Sequence, residues 1–149
     1  MKKNPRKYKA LTYLGLGVVI TAWLLLIFIG YEMFYPFNPL EVNEFRIINH
    51  TYYQGGELLY FSSYCKYMPM SAKVMTSYND GVIYPMESYR TNMNVGCGNV
   101  TNTIKIPQNL PAGKYTIYRT YEYRINGLRS IQVSVRSNEF EVKNARERV

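Results

Sequence analysis

The side chains able to do covalent or metal chemistry are few. Cys65 and Cys97 are the only cysteines and His50 is the only histidine. A metal site takes three or four thiolate, imidazole or carboxylate ligands, and His50 stands apart from both cysteines along the chain. A thiol nucleophile needs a base beside it, and His50 is the only histidine candidate. No P-loop, GxGxxG, GxSxG or HExxH pattern occurs. The acids Glu57, Asp80, Glu122 and Glu139 fall at turns or on the polar faces of expected strands and read as solvated charge. The sequence therefore predicts no catalytic residue, no metal and no cofactor. It predicts instead a Cys65–Cys97 disulfide, closing a loop of about 32 residues worth about 3–4 kcal/mol in the chain-entropy model. Two free buried thiols are the alternative.

A second group of residues suggests binding rather than reaction. The chain has 16 tyrosines. Tyr118, Arg119, Tyr121, Tyr123, Arg124, Arg129 and Arg136 crowd its last two long expected strands. Tyrosine and arginine are enriched at interfaces, and they suit stacking on sugars and pairing with acidic polymers. They form the candidate binding surface. The plainer reading is a β-surface, because tyrosine favours strands and arginine keeps edges soluble. Asn49-His50-Thr51 and Asn99-Val100-Thr101 are glycosylation sequons, meaningful only in a eukaryotic secretory pathway.

The elements that must position these residues are of two kinds. Residues 10–31 carry no charge. That is about 22 residues, or about 33 Å as a helix, against a hydrocarbon core of about 30 Å. Tyr8 and Tyr13 stand near one interface, and Tyr31, Phe34 and Tyr35 near the other, as an aromatic belt does. Pro36 and Pro39 end the helix. The block is too long for a signal-peptide core, and bulky residues follow it where a cleavage site needs small ones. An uncleaved, single-pass signal-anchor over residues 10–35 is expected, after a basic leader at 1–9.

The formal net charge is +8. Lys2, Lys3, Arg6, Lys7 and Lys9 supply five of the positive charges ahead of the apolar block. Most of the excess is therefore topological rather than a nucleic-acid footprint. The positive-inside rule keeps the leader in the cytoplasm and places the rest in the periplasm or extracellular space, where a disulfide persists.

After a linker at 36–40 the pattern alternates with period two and is broken by turns. Strands are expected at Val42–Asn49, Leu58–Lys66, Ala72–Tyr78, Val82–Met86, Val100–Ile106, Tyr115–Ile125 and Arg129–Arg136. Phe140 and Val142 end the domain at residue 143, and 144–149 form a tail. Asn79-Asp80-Gly81 reads as a hairpin turn. In the second strand, Leu59, Phe61, Ser63 and Cys65 share the face taken as inward. Residues 90–99 read as loop. About seven strands over 41–143 predict an all-β, antiparallel sandwich.

Leu110-Pro111-Ala112-Gly113-Lys114-Tyr115 resembles the corner before strand F of immunoglobulin-like and fibronectin type III domains. The resemblance implies that Tyr115 is the corner tyrosine, its hydroxyl bonding upstream backbone in the Ile106–Leu110 stretch. Ile117 stands where immunoglobulin domains have a cysteine, and the only tryptophan, Trp23, lies in the apolar block. The resemblance is thus to the architecture, which hosts unrelated functions. The expected function is a membrane-anchored, extracytoplasmic binding or assembly module with no enzymatic activity, facing a partner protein or an envelope polymer. The alternative is an accessory subunit of a membrane complex, such as a phage-borne envelope protein that excludes a second phage.

Overall fold

The computed structural model describes residues 5–34, 38–125, 127 and 129–147. Of the expected features, Lys2 and Lys3 of the leader, Tyr35 of the aromatic belt, Pro36 at the helix end and the last two residues of the tail lie outside these. The chain divides into two compact units, Met1–Phe37 and Asn38–Val149.

The first unit is helix α1 (Pro5–Phe34). Pro5 opens it, at a position where the missing N–H has no intrahelical partner to lose. Tyr13–Phe34 has a mean hydropathy of 2.3, and its apolar window is not buried against protein. This segment is long and apolar enough to cross a membrane. The Thr21 hydroxyl donates to the Gly17 carbonyl at 2.9 Å, so its polar group is satisfied within the helix.

The second unit is mostly β. Its strands are β1 (Leu40–Ile47), β2 (Thr51–Tyr53), β3 (Glu57–Lys66), β4 (Ala72–Asn79), β5 (Ile83–Pro85), β6 (Tyr89–Thr91), β7 (Gly96–Lys105), β8 (Gly113–Arg124), β9 (Ser130–Arg136) and β10 (Phe140–Lys143). A short 3-10 turn, Ala145–Glu147, falls in the tail. One sheet has the order β1-β3-β7. The other runs β2-β10-β8-β4-β5, with β6 also on β4 and β9 also on β8. All pairs are antiparallel except β2 with β10, which run parallel through Tyr52 opposite Val142. The second sheet is therefore mixed, a departure from the all-antiparallel expectation.

Both sheets feed the same core. Phe45, Leu58, Tyr60 and Ile104 of the first meet Tyr78, Tyr115, Ile117 and Phe140 of the second. A second cluster joins Leu40 to Val74, Tyr121 and Tyr123. Tyrosine dominates, so much of the packing is edge-on ring contact, as between Tyr78 and Tyr115 with centroids 6.3 Å apart. The turn from β4 to β5 closes at Gly81, whose φ of 108° favours glycine. The Asn79 and Asp80 side chains accept from the Gly81 and Val82 amides there at 2.8 and 2.9 Å.

Four sequence expectations change. The linker is shorter than 36–40, because Pro39 is fully buried and Leu40 begins β1 in the core. β3 faces the other way: Leu58, Tyr60, Ser62 and Lys66 are buried, while Leu59, Phe61, Ser63 and Cys65 are only half-buried. Both sets contain apolar residues, so alternation alone did not choose between them. Residues 90–99 are not one loop, since β6 ends at Thr91 and β7 begins at Gly96. Val100, Ile104 and Ile106 alternate onto one face of the strand expected at Val100–Ile106, yet only Ile104 and Ile106 are buried and Val100 is exposed.

Candidate functional site

Cys65 and Cys97 are direct cross-strand partners on β3 and β7 and are joined by a disulfide. The bond lies on the outer side of the sheet, with Cys65 half-buried and Cys97 exposed. Beside it Lys66 turns inward and is only 1% exposed. Its Nζ donates to the Met93 carbonyl at 2.6 Å, and desolvation lowers its pKa. Among the described residues no group of three or more His, Cys, Asp or Glu side chains is placed to hold a metal. His50 is exposed, as are the sequon residues Asn49 and Asn99.

The corner segment has its own hydrogen bond. The Tyr115 hydroxyl donates to the Pro111 carbonyl at 2.8 Å, one residue beyond the stretch in which the sequence placed the acceptor. Burial, with the Asp80 carboxylate adding to it, pushes the Tyr115 pKa up to about 12.

The seven tyrosine and arginine residues do not form one surface. They separate into three groups, because β8 alternates. Tyr118 points outward, and the Arg136 guanidinium from β9 lies 5.3 Å from its ring centroid. Arg124 and Arg129 line a depression of about 660 Å³ at the β8–β9 end, with Lys73, Arg90, Glu122 and Met70. Arg119, Tyr121 and Tyr123 point inward and are buried. That corrects their reading as surface residues. They share the face of Tyr115 and Ile117, and the two-residue period already placed them there.

Arg119 is the unusual member. It is 3% exposed, and among the described residues no carboxylate pairs with it. Its guanidinium stacks 4.3 Å from the Tyr60 ring centroid and 5.2 Å from that of Phe45. Its Nε donates to the Thr76 hydroxyl, its cross-strand neighbour, at 3.4 Å. Burial works against its charge, but the phenol oxygens of Tyr121, Tyr60 and Tyr89 raise its pKa on balance. An uncompensated buried ion costs several kcal/mol. Here the ring faces and hydroxyl oxygens supply the compensation.

Two cavities open onto this guanidinium between β7 and the β5–β6 side of the other sheet. One is about 920 Å³ and runs along β7 to Pro107–Asn109. The other is about 150 Å³ and reaches Met93 and Val100. Tyr60, Tyr89, Asn102 and Arg119 line both. Sequence reasoning missed this cleft because its lining comes from six separate strands. The one available signal was the inward register of Arg119.

No family model and no curated protein matches the chain. The sporulation control protein Spo0M from Bacillus subtilis aligns over 72% of this chain and 50% of its own, at 12% identity and TM-score 0.47. The Pseudomonas fluorescens alkylpurine DNA glycosylase AlkC aligns over 70% of this chain and 30% of its own, at 10% identity and TM-score 0.38. A Listeria innocua β-glucosidase aligns over 68% and 16%, at 7% identity and TM-score 0.33. The chain thus spans half or less of each. Likenesses this weak assign no function.

Proposed function

We propose that this chain is a single-pass, membrane-tethered binding module, with α1 in the bilayer and the β unit outside the cytoplasm. The observation that carries this reading is Tyr13–Phe34, a 22-residue apolar segment with no protein covering it. A soluble protein has no means of keeping so much apolar surface in water. The basic residues Arg6, Lys7 and Lys9 at its start favour a cytoplasmic N-terminus. The exposed Cys65–Cys97 disulfide supports the opposite side for the β unit, since such bonds are reduced in most cytosols.

The β unit is, in this proposal, an immunoglobulin-like sandwich. In its favour are two sheets sharing one core and a tyrosine that bonds back across a Pro-Ala-Gly turn. Single cysteines introduced at Asn4 and Asn144, in a Cys65→Ser/Cys97→Ser background, test the topology in intact cells. An impermeant maleimide labels position 144 and spares position 4. Labelling of position 4 alone overturns the proposal, as does a mature chain beginning after residue 30.

A further inference from the structure

We propose that the cleft between β7 and the β5–β6 side binds an acidic saccharide, with Arg119 holding its carboxylate. This deepens the reading of the chain as a binding module, and it takes from that reading only where the ligand is met. Arg119 is a buried cation whose contacts are two aromatic rings and the neutral hydroxyls of Thr76, Tyr60 and Tyr121, none of them anionic. It lines both cavities, and its five N–H donors outnumber the three hydroxyls it meets, which leaves donors for a ligand entering from either. A guanidinium matches a carboxylate with two parallel hydrogen bonds.

The walls identify what carries the carboxylate. Tyr60 and Tyr89 offer rings, and Asn102, Gln108 and Asn109 offer side-chain amides. Flat apolar rings with a few amides suit a sugar, which has an apolar face and a rim of hydroxyls. The mouth carries one charge of each sign, Lys105 and Glu87, so the selectivity for an acid comes from Arg119.

The competing occupant is an extended acidic peptide lying along the free edge of β7. That edge is partly capped. The Thr103 amide donates to the Asn102 side chain at 2.8 Å, and the Lys105 carbonyl accepts from the Tyr78 hydroxyl at 3.3 Å. A peptide adding as a strand needs such groups, whereas a saccharide held by side chains leaves them in place.

Calorimetry on the full chain in detergent micelles tests this, with trigalacturonate, neutral galactotriose and an extended Glu-rich peptide as probes. Trigalacturonate is expected to bind at least tenfold more tightly than galactotriose and than the peptide. Tyr89→Ala and Asn102→Ala, both at exposed positions, are each expected to weaken it at least fivefold, Asn102→Ala without moving the unfolding temperature. Arg119→Lys is expected to erase the preference for the acid over the neutral sugar. No binding of trigalacturonate, equal binding of both sugars, rim variants without effect, or tighter binding of the peptide each overturns the proposal. Maleimide labelling reads the topology separately, so failure of the one is not mistaken for failure of the other.

Discussion

Tyr115, Tyr118 and Tyr123 stand on the same strand, and their hydroxyls meet three different surroundings. That of Tyr115 bonds the Pro111 carbonyl. That of Tyr123, on a residue with 0% exposure, has no partner, the one such buried side-chain atom among the described residues. Tyr118 is half-buried beneath Arg136 on the outer face. Removing only the hydroxyl should therefore give three results. Tyr115→Phe should cost about 1–2 kcal/mol, because a carbonyl loses its donor. Tyr118→Phe should stay within about 0.5 kcal/mol. Tyr123→Phe should be neutral or stabilising, since it deletes a desolvated group that bonds nothing. Urea unfolding measures all three, and equal effects at Tyr115 and Tyr118 would mean that Tyr115 is not a corner tyrosine. The same residues set the alkaline limit. Burial raises the pKa of Tyr123 to about 12, as for Tyr115, and pushes Tyr78 higher still. The unfolded chain ionises these phenols near pH 10 while the folded one does not. Their contribution is thus complete below pH 10 and falls as pH rises toward 12. Stability measured across that window should decline, and ultraviolet titration should show these phenols ionising only as the fold is lost.

At the scale of elements, β8 shows what was legible and what was not. Its extent was readable from Tyr115 onward, and so was its two-residue alternation. Residue type groups Tyr118, Arg119, Tyr121 and Tyr123, but alternation separates the first from the others. In β3 both faces carry apolar side chains, so only the pairing with β1 and β7 selects Leu58, Tyr60 and Ser62 as inward. The short strands β2 and β6 exist through their neighbours, and three residues are too few for a periodic signal; β5, equally short, lies within the strand expected at Val82–Met86 because the Asp80-Gly81 turn announces it. Connections between elements were the least legible. The Asn138 side chain, between β9 and β10, accepts from the Ile47 amide at 2.6 Å and donates to the Ile47 carbonyl at 3.2 Å. No local pattern announces a contact across 91 residues. Asn138→Ala should cost about 1–3 kcal/mol, because it strands the backbone of a buried residue. Asn102→Ala, which frees an exposed amide, is the control in the same unfolding experiment. Reduction of Cys65–Cys97 should lower stability by about 3–4 kcal/mol, and the exposure of Cys97 should let a reductant reach it without unfolding.

At the scale of the whole molecule, the boundary between the units falls earlier than composition suggests. Pro39 and Leu40 read as linker, yet they are buried in the β unit. A fragment comprising residues 38–149, produced in an oxidising compartment, should therefore fold with no free thiol. One beginning at residue 41 should be less stable by about 2–5 kcal/mol, the range for deleting a buried leucine. Thermal and urea unfolding of the two fragments checks this. Equal stability would return Leu40 to the linker. The full chain should stay with membranes through alkaline carbonate washing, whereas the 38–149 fragment should not sediment with them.

Tension on the chain ahead of Leu40 enters the β unit at the first residue of β1. There Leu40 lies opposite Lys66, next to the Cys65–Cys97 bond. The Tyr67 amide donates to the Pro39 carbonyl at 3.0 Å, and the Tyr67 hydroxyl to Glu41 at 2.8 Å. A pull is thus met first by two hydrogen bonds at the entry point, and then by the ladder from β1 to β3. Behind that ladder, β3 is tied covalently to β7. The yielding order is written into the connectivity: β1 strips away, and the pair behind it holds until the sulfur bridge is cut. Because the Phe45 ring that stacks on Arg119 belongs to β1, a pull at this root would be felt at the cleft before the sulfur bridge is loaded.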